Sequence, residues 1–410
     1  MAAFDDGLGT PFPAGGSYPV RPGNRLVPLV DGVPAFRRIG AAVEAARHAV
    51  WVTVAFVDPH RALPDRLGSV FDLLDRAAAR GLDVRVLFWR PNPESAGYGQ
   101  VFAGTAADRA LLADRRSGWR ARWDRAPGGA CHHQKSWLVD AGQASEIAFV
   151  GGINLTAGLA GVPGHAGPDQ QHDAYLELAG PSARDVHHNF ADRWNRAASE
   201  PDGRWPDGED PPMALPGAPG PARGDSLAQV QRNLPGAERT ILEQYCLAIT
   251  AAQRTIYIEN QALPAAPVAA VLAEALDRGV TVVALVPADT MRTPMPDHLA
   301  RLFAHPNFTA ATLVADAPVH VHAKLMLVDD AWGTIGSCNL HARSLLEHSE
   351  LNLSFHDPAV VRRLRCDLLA EHLGVDVDAL DDRAALALYR RIADANRSGR
   401  RQGLAVRLCG

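Results

Sequence analysis

The feature that most limits how this chain can fold is a repetition. Residues 77–89 read AAARGLDVRVLFW and residues 274–286 read EALDRGVTVVALV. Each is a helix-spaced stretch, a glycine placed to stop a helix (Gly81, Gly279) and an apolar, β-rich run. Upstream, AAVEAARHAVWVTVAFVDP (41–59) and LEQYCLAITAAQRTIYIENQ (242–261) repeat the helix-then-strand order. An internal duplication at this period predicts two equivalent lobes. Alternating helices and apolar strands predict an α/β fold, two α/β/α lobes with mainly parallel sheets related by a pseudo-twofold axis. Ligands of such sheets sit at the carboxyl ends of strands.

A duplication is tested by whether odd patterns recur. CHHQKSWLVD (131–140) places two histidines and a lysine on an otherwise apolar strand, and VHAKLMLVDD (321–330) repeats it. His133, Lys135 and Asp140 share the spacing of His322, Lys324 and Asp329. Residues i and i+2 of a strand share a face, so each His–Lys pair points one way. Downstream, FVGGINLT and TIGSCNLH each carry a β-rich run, a Gly-Gly or Gly-Ser turn, then Asn154 or Asn339. Brought together, the two sets surround one cavity with imidazoles, ammonium groups and amides. Lysines and amides, with Ser337, suit phosphate oxygens. Histidines suit nucleophilic and acid–base work near neutral pH.

On these residues the chain resembles the phospholipase D superfamily, whose signature is a doubled HxKxxxxD followed by G-(G/S)-x-N. The segments HHQK, IYIENQ, IGSCNLHARSLLEHSELN and HDAYLELAGPSARDVHHNFADRWN look closest to the phosphatidylcholine-type phospholipases D. The resemblance implies hydrolysis of a glycerophospholipid to phosphatidic acid and a headgroup alcohol. It also implies transphosphatidylation, a phosphohistidine intermediate and no cofactor or catalytic metal. It assigns His133 as nucleophile and His322 as general acid/base; the residues alone leave the reverse order open. Lys135, Lys324, Asn154 and Asn339 would hold the phosphate oxygens. Asp173 and Glu350, downstream of each motif, would each orient the histidine of its own half. Asp140 and Asp329 would be structural, binding groups of the partner half. Cardiolipin-synthase-like transfer, action on a non-lipid phosphodiester or nucleic acid, and a non-catalytic phosphate- or membrane-binding scaffold are the rival readings.

The rest of the sequence bounds these readings. A net charge of −5 disfavours a general nucleic-acid binder. Residues 201–225, dense in Pro and Gly, read as a linker between a lobe of 1–200 and a lobe of 226–410. The N-terminus lacks the pattern of a secretory signal, and no run of ~18 apolar residues predicts a membrane span. Cys131, Cys246, Cys338, Cys366 and Cys409 are widely spaced and odd in number, which fits reduced thiols in a cytosol. The expected location is therefore cytoplasmic, with transient contact to a membrane surface and no obligate protein partner. His132 alternates to the far face, where packing is expected, and the lysine beside it opposes zinc at His132 and His133. Loops 90–102 and 157–171 follow strand ends on the active-site side and are expected as plain surface loops; the rival reading makes them the pocket mouth, with Tyr98 or Phe102 touching a bilayer. Asp381 or Asp382 is expected to cap the helix that follows.

Overall fold

A computed structural model describes residues 11–168, 170–197, 203–208, 210–291, 295–398 and 401–408. Cys409 and part of the 201–225 segment lie outside the described residues. The strands Ala49–Val54, Asp83–Trp89 and Arg120–Asp124 pair in parallel, and so do Thr255–Asn260, Thr281–Leu285 and Phe308–Leu313. Asp83–Trp89 and Thr281–Leu285 follow the helix–glycine units seen in the sequence: Gly81 and Gly279 adopt φ values of 83° and 90°, where a β-carbon would be strained.

The α/β class holds, but parallel pairing is confined largely to these outer strands of each half. The first motif strand, Ser136–Val139, runs antiparallel to Ala49–Val54 and continues through Ile147–Gly151 and Ala174–Ala179 to Arg21–Val30. The second motif strand, Lys324–Val328, does the same from Thr255–Asn260 through Trp332–Gly336 and Glu350–His356 to Ser226–Leu234. The reason lies in the connections. Motif strands return through tight turns, whereas parallel pairing needs a long crossover. Arg21–Val30 and Ser226–Leu234 then pair with each other, so the two halves share one 17-stranded sheet among the described residues.

Alternation along a strand assigns its two faces to different cores. Val50, Val52 and Val54 pack in an outer core of the first half, while Trp51 faces the centre. The central core is common property: Leu138, Val150 and Leu176 of the first half join Leu325, Leu351 and Leu353 of the second. Burying both faces explains the nearly continuous apolar runs of these strands.

Asp140 and Asp329 hold their own halves, not the partner half. Asp140 Oδ1 accepts from the backbone N–H of Arg47 at 2.9 Å and His48 at 2.8 Å. Asp329 accepts from Gln253, Arg254 and Thr255 at 2.7–2.8 Å. Each carboxylate thus ties the end of a motif strand to the turn that opens the neighbouring parallel strand. Phe102 also departs from expectation, because it is buried against Phe71 and Phe88. Tyr98 is 40% exposed. Asp381 caps its helix by accepting from Ala384 N–H at 2.7 Å. No helix among the described residues is long and apolar enough to cross a membrane.

Candidate active site at the seam between the halves

Two short cross-half ladders build the site. His132 bridges in parallel to Ser349, with His133 N–H donating to Ser349 O at 2.8 Å. Val321 pairs in parallel with His172, and His322 N–H donates to His172 O at 2.7 Å. In each ladder the residue before a motif histidine lies opposite the residue before an acid of the other half.

The acids are therefore exchanged. His133 Nδ1 lies 3.0 Å from Glu350 Oε2, and His322 Nδ1 lies 2.5 Å from Asp173 Oδ2. This overturns the own-half pairing. The resemblance assigns an acid downstream of each motif to that motif's own histidine, but sequence position does not say which of two equivalent lobes each acid faces. With Nδ1–H held by a carboxylate, Nε2 is the nitrogen each ring offers to the cavity.

His133, His322, Asn154 and Asn339 line one cavity of about 960 Å³. Lys135 and Lys324 lie directly beneath, 1% exposed each. Lys135 Nζ donates to His133 O at 2.7 Å, and Lys324 Nζ donates to His322 O and to Gln261 Oε1. Lys135 also lies 5.8 Å from the centre of the Phe56 ring. Asn154 and Asn339 each leave a buried Oδ1 with no partner among the described residues.

Burial dominates the protonation equilibria. It pushes the His133 imidazole down to about 4, against the pull of Glu350. His322 is driven well below its ordinary value by burial and then by the two lysines. Burial lowers Lys135 to about 8 and Lys324 to about 7, with Glu350 and Asp173 respectively opposing. Burial raises Asp173 to about 7. Burial would raise Glu350 too, yet His133 and Lys135 hold it at about 2.

The Gly-Gly and Gly-Ser turns explain part of that contrast. Ser337 and Ser344 hydroxyls both donate to Glu350. At Gly152, the counterpart of Ser337, a β-carbon would fall 2.3 Å from Asp173 Oδ1. The shorter aspartate sits closer to its turn, so only glycine fits there. Ser337 thus reaches the carboxylate of Glu350 and, through its carbonyl, His133 Nδ1 at 3.1 Å.

Several cavity residues carried no role in the sequence reading. Gln261, His320, His341, Arg343 and His348 all line it. His320 stands two residues before His322, so strand alternation was a usable signal; their rings are 5.8 Å apart. Gln134 faces away from the cavity and straps the halves together, donating to Ser349 Oγ at 2.9 Å and accepting from Asn189 at 2.8 Å. His132 is likewise turned inward, with Nε2 3.0 Å from Arg125 O and 3.2 Å from Asp124. Loop residues Tyr98, Gly99 and Gln100, with Thr156, Ala157 and Gln171, reach the cavity's rim. Arg343 of the second half meets Tyr98 of the first there.

Comparison with known proteins places this geometry. A family model described as "Cardiolipin synthase, PLD-like domain" matches residues 245–371. Cardiolipin synthase A of Pseudomonas entomophila strain L48 is 29% identical, over 85% of this chain and 68% of its own length. Cardiolipin synthase A of Pseudomonas putida is 30% identical, over 83% of this chain and 67% of its own. Among solved structures, a phosphatidylserine synthase of Haemophilus influenzae Rd KW20 aligns with a TM-score of 0.58 at 14% identity. That alignment covers 91% of this chain and 93% of the other. A polyphosphate kinase of Porphyromonas gingivalis aligns at 0.52 and 17% identity, over 85% of this chain and 46% of its own. These two show the fold alone. Closeness to the phosphatidylcholine-type phospholipases D finds no support among these matches. The chain is an enzyme of the phospholipase D-like superfamily of phosphodiesterases and phosphatidyltransferases, and it belongs to the family that includes cardiolipin synthase A.

Proposed function

We propose that this protein is a phosphatidyltransferase of the cardiolipin-synthase type, moving a phosphatidyl group from one glycerophospholipid to a hydroxyl of another. The observation that carries the reading is the pair of exchanged histidine–carboxylate couples opening on one cavity between two buried lysines. Two imidazoles facing one phosphorus suit two successive displacements. The names of the relatives favour transfer over hydrolysis. The cavity, at about 960 Å³, stands at the upper end of the ~300–1,000 Å³ range of ligand pockets, which suits a donor and an acceptor headgroup.

In the first step His133 Nε2 attacks phosphorus, and the bond to the headgroup oxygen breaks as His322, entering the substrate complex as the imidazolium that Asp173 and the anionic phosphate favour, gives that oxygen a proton. In the second, the acceptor hydroxyl loses its proton to His322 and attacks phosphorus, and the bond to His133 breaks. Glu350, ionised and held by two hydroxyls, fixes the His133 tautomer. Lys135, Lys324, Asn154 and Asn339 face the non-bridging oxygens and stabilise charge that grows in the transition state. Ser337 acts through Glu350. The site sits at a membrane surface during turnover, since both substrates are lipids.

Product analysis tests the proposal. With vesicles of phosphatidylglycerol alone, the expected products are cardiolipin and glycerol, absent in His133→Ala and His322→Ala. Phosphatidic acid as the main product, with no cardiolipin, would return the protein to the hydrolases. Neither product from any common phospholipid would remove the lipid reading altogether.

A further inference from the structure

Below the second ladder lies a buried cluster that the reaction does not use. Asp31, His165 and His172 are 0–1% exposed, and one ligand atom from each lies within 4.8 Å of the others. The separations are 3.2 Å from His165 Nε2 to His172 Nδ1 and 3.0 Å from His172 Nδ1 to Asp31 Oδ1. His165 Nε2 is 3.6 Å from Asp31 Oδ2. Tetrahedral zinc with nitrogen and oxygen ligands at ~2.0–2.1 Å sets neighbouring ligand atoms ~3.3–3.4 Å apart, close to these values. We propose that Asp31, His165 and His172 supply three of the ligands of a buried zinc site.

A second observation points the same way. Asp31 Oδ2 is buried and has no hydrogen-bond partner among the described residues. A carboxylate oxygen stranded there is costly unless a cation meets it. His172 has the surroundings a metal-bound histidine needs, whereas His165 Nδ1 is buried with no partner among the described residues. His172 Nε2 lies 2.9 Å from Glu259 Oε2, so its other nitrogen already has a carboxylate to hold the ring in the metal-binding tautomer. Glu259 is itself fixed by Tyr257 Oη at 2.7 Å. Glu371 Oε1 lies 3.3 Å from His165 Nε2 and brings a second carboxylate beside the site. The overlapping group His172, Glu259 and His372 is a poorer fit, since His372 Nδ1 is 4.0 Å from Glu259 and already meets Tyr257 Oη at 3.0 Å.

The ion would join parts distant in sequence: the end of strand Arg21–Val30, the loop of residues 161–168 and the short strand that places Asp173. Helix Pro358–Leu373 of the second half lies against it through Glu371. Its role is to hold the ladder that presents Asp173 to His322. The rival is a metal-free network in which protons alone join these groups.

The test is elemental analysis of the full chain purified without chelator or affinity metal. About one zinc per chain is expected. Treatment with dipicolinate should strip it and lower the melting temperature, and Zn²⁺ alone should restore both. Cobalt reconstitution should give the visible bands of a tetrahedral N/O site. His165→Ala should hold less than a tenth as much zinc, and His372→Ala, outside the site, should keep it. Folded protein with under ~0.1 metal per chain even after incubation with Zn²⁺, and an unmoved melting temperature, would overturn the proposal. So would equal zinc content in His165→Ala. A different first-row ion at full occupancy would overturn the zinc assignment.

Discussion

The two halves perform the same construction with different parts. In both, an aspartate after the motif strand ties a backbone turn, and a histidine crosses the seam to an acid of the other lobe. The couples are not equal. His133 meets a glutamate that two serine hydroxyls also reach, whereas His322 meets an aspartate packed against glycine. Duplication supplies the symmetry, and one methylene with one turn residue breaks it. The difference teaches how a symmetric seam can give two chemically distinct imidazoles, as a nucleophile and a proton carrier must be.

Removing either imidazole should have the largest effect. His133→Ala and His322→Ala should each lose transfer by ~10⁴-fold or more in kcat/KM, since removing one member of such a unit disables the whole. Activity above a tenth of the parent in either would break the two-histidine comparison. Next come the phosphate donors: Lys135→Met and Lys324→Met should each lower kcat by ~10²–10³-fold. A loss confined to KM would instead mean uniform binding of the phosphate.

The turn residues sharpen the asymmetry. Gly152→Ser puts a β-carbon into the space of Asp173 Oδ1, so it should cost more activity than Ser337→Gly, which leaves space and removes one hydroxyl. A charge-assisted hydrogen bond is worth about 1.5–3 kcal/mol, so Ser337→Gly should lose roughly 10–100-fold. Equal costs for the two variants would erase the distinction drawn here. The pH profile is a finer probe. With its pKa near 4, His133 is neutral at pH 7 and loses its lone pair only as pH falls toward 4. Glu350 pulls that value upward, so Glu350→Gln should move the acid limb of kcat/KM to lower pH while lowering the plateau. A limb that moves to higher pH would contradict the cross-half couple. The smallest contrast is expected where the halves agree. Asp140→Ala and Asp329→Ala should each cost about 1–2 kcal/mol of stability by denaturant melts, because each removes the acceptor of several backbone N–H groups at the head of a parallel strand, mostly within reach of water.

Much of this was legible in the chain. The H-x-K spacing on a strand fixes which side chains share a face, and the duplicated Gly-x-x-Asn or Gly-Ser-x-Asn turns fix what arrives beside them. The exchange of acids was not legible. In a duplicated chain, Asp173 and Glu350 take matching places downstream of His133 and His322, and order along the chain cannot tell an own-half contact from its cross-half image. Only the ladders His132–Ser349 and Val321–His172 decide it. The same blindness misplaced Asp140 and Asp329, whose partners are backbone amides that any sequence would supply. Phe102, read from sequence as part of a surface loop, is buried because Phe71, Phe88 and Trp123 close over it.

The central claim is that His133, backed by Glu350 from the other half, receives the phosphatidyl group. It is tested by quenching the enzyme during turnover on phosphatidylglycerol and locating the acid-labile phosphoryl adduct by mass spectrometry. The account predicts an adduct on the His133 peptide that persists in His322→Ala and vanishes in His133→Ala. An adduct on the His322 peptide, or turnover with no adduct on either, would contradict it.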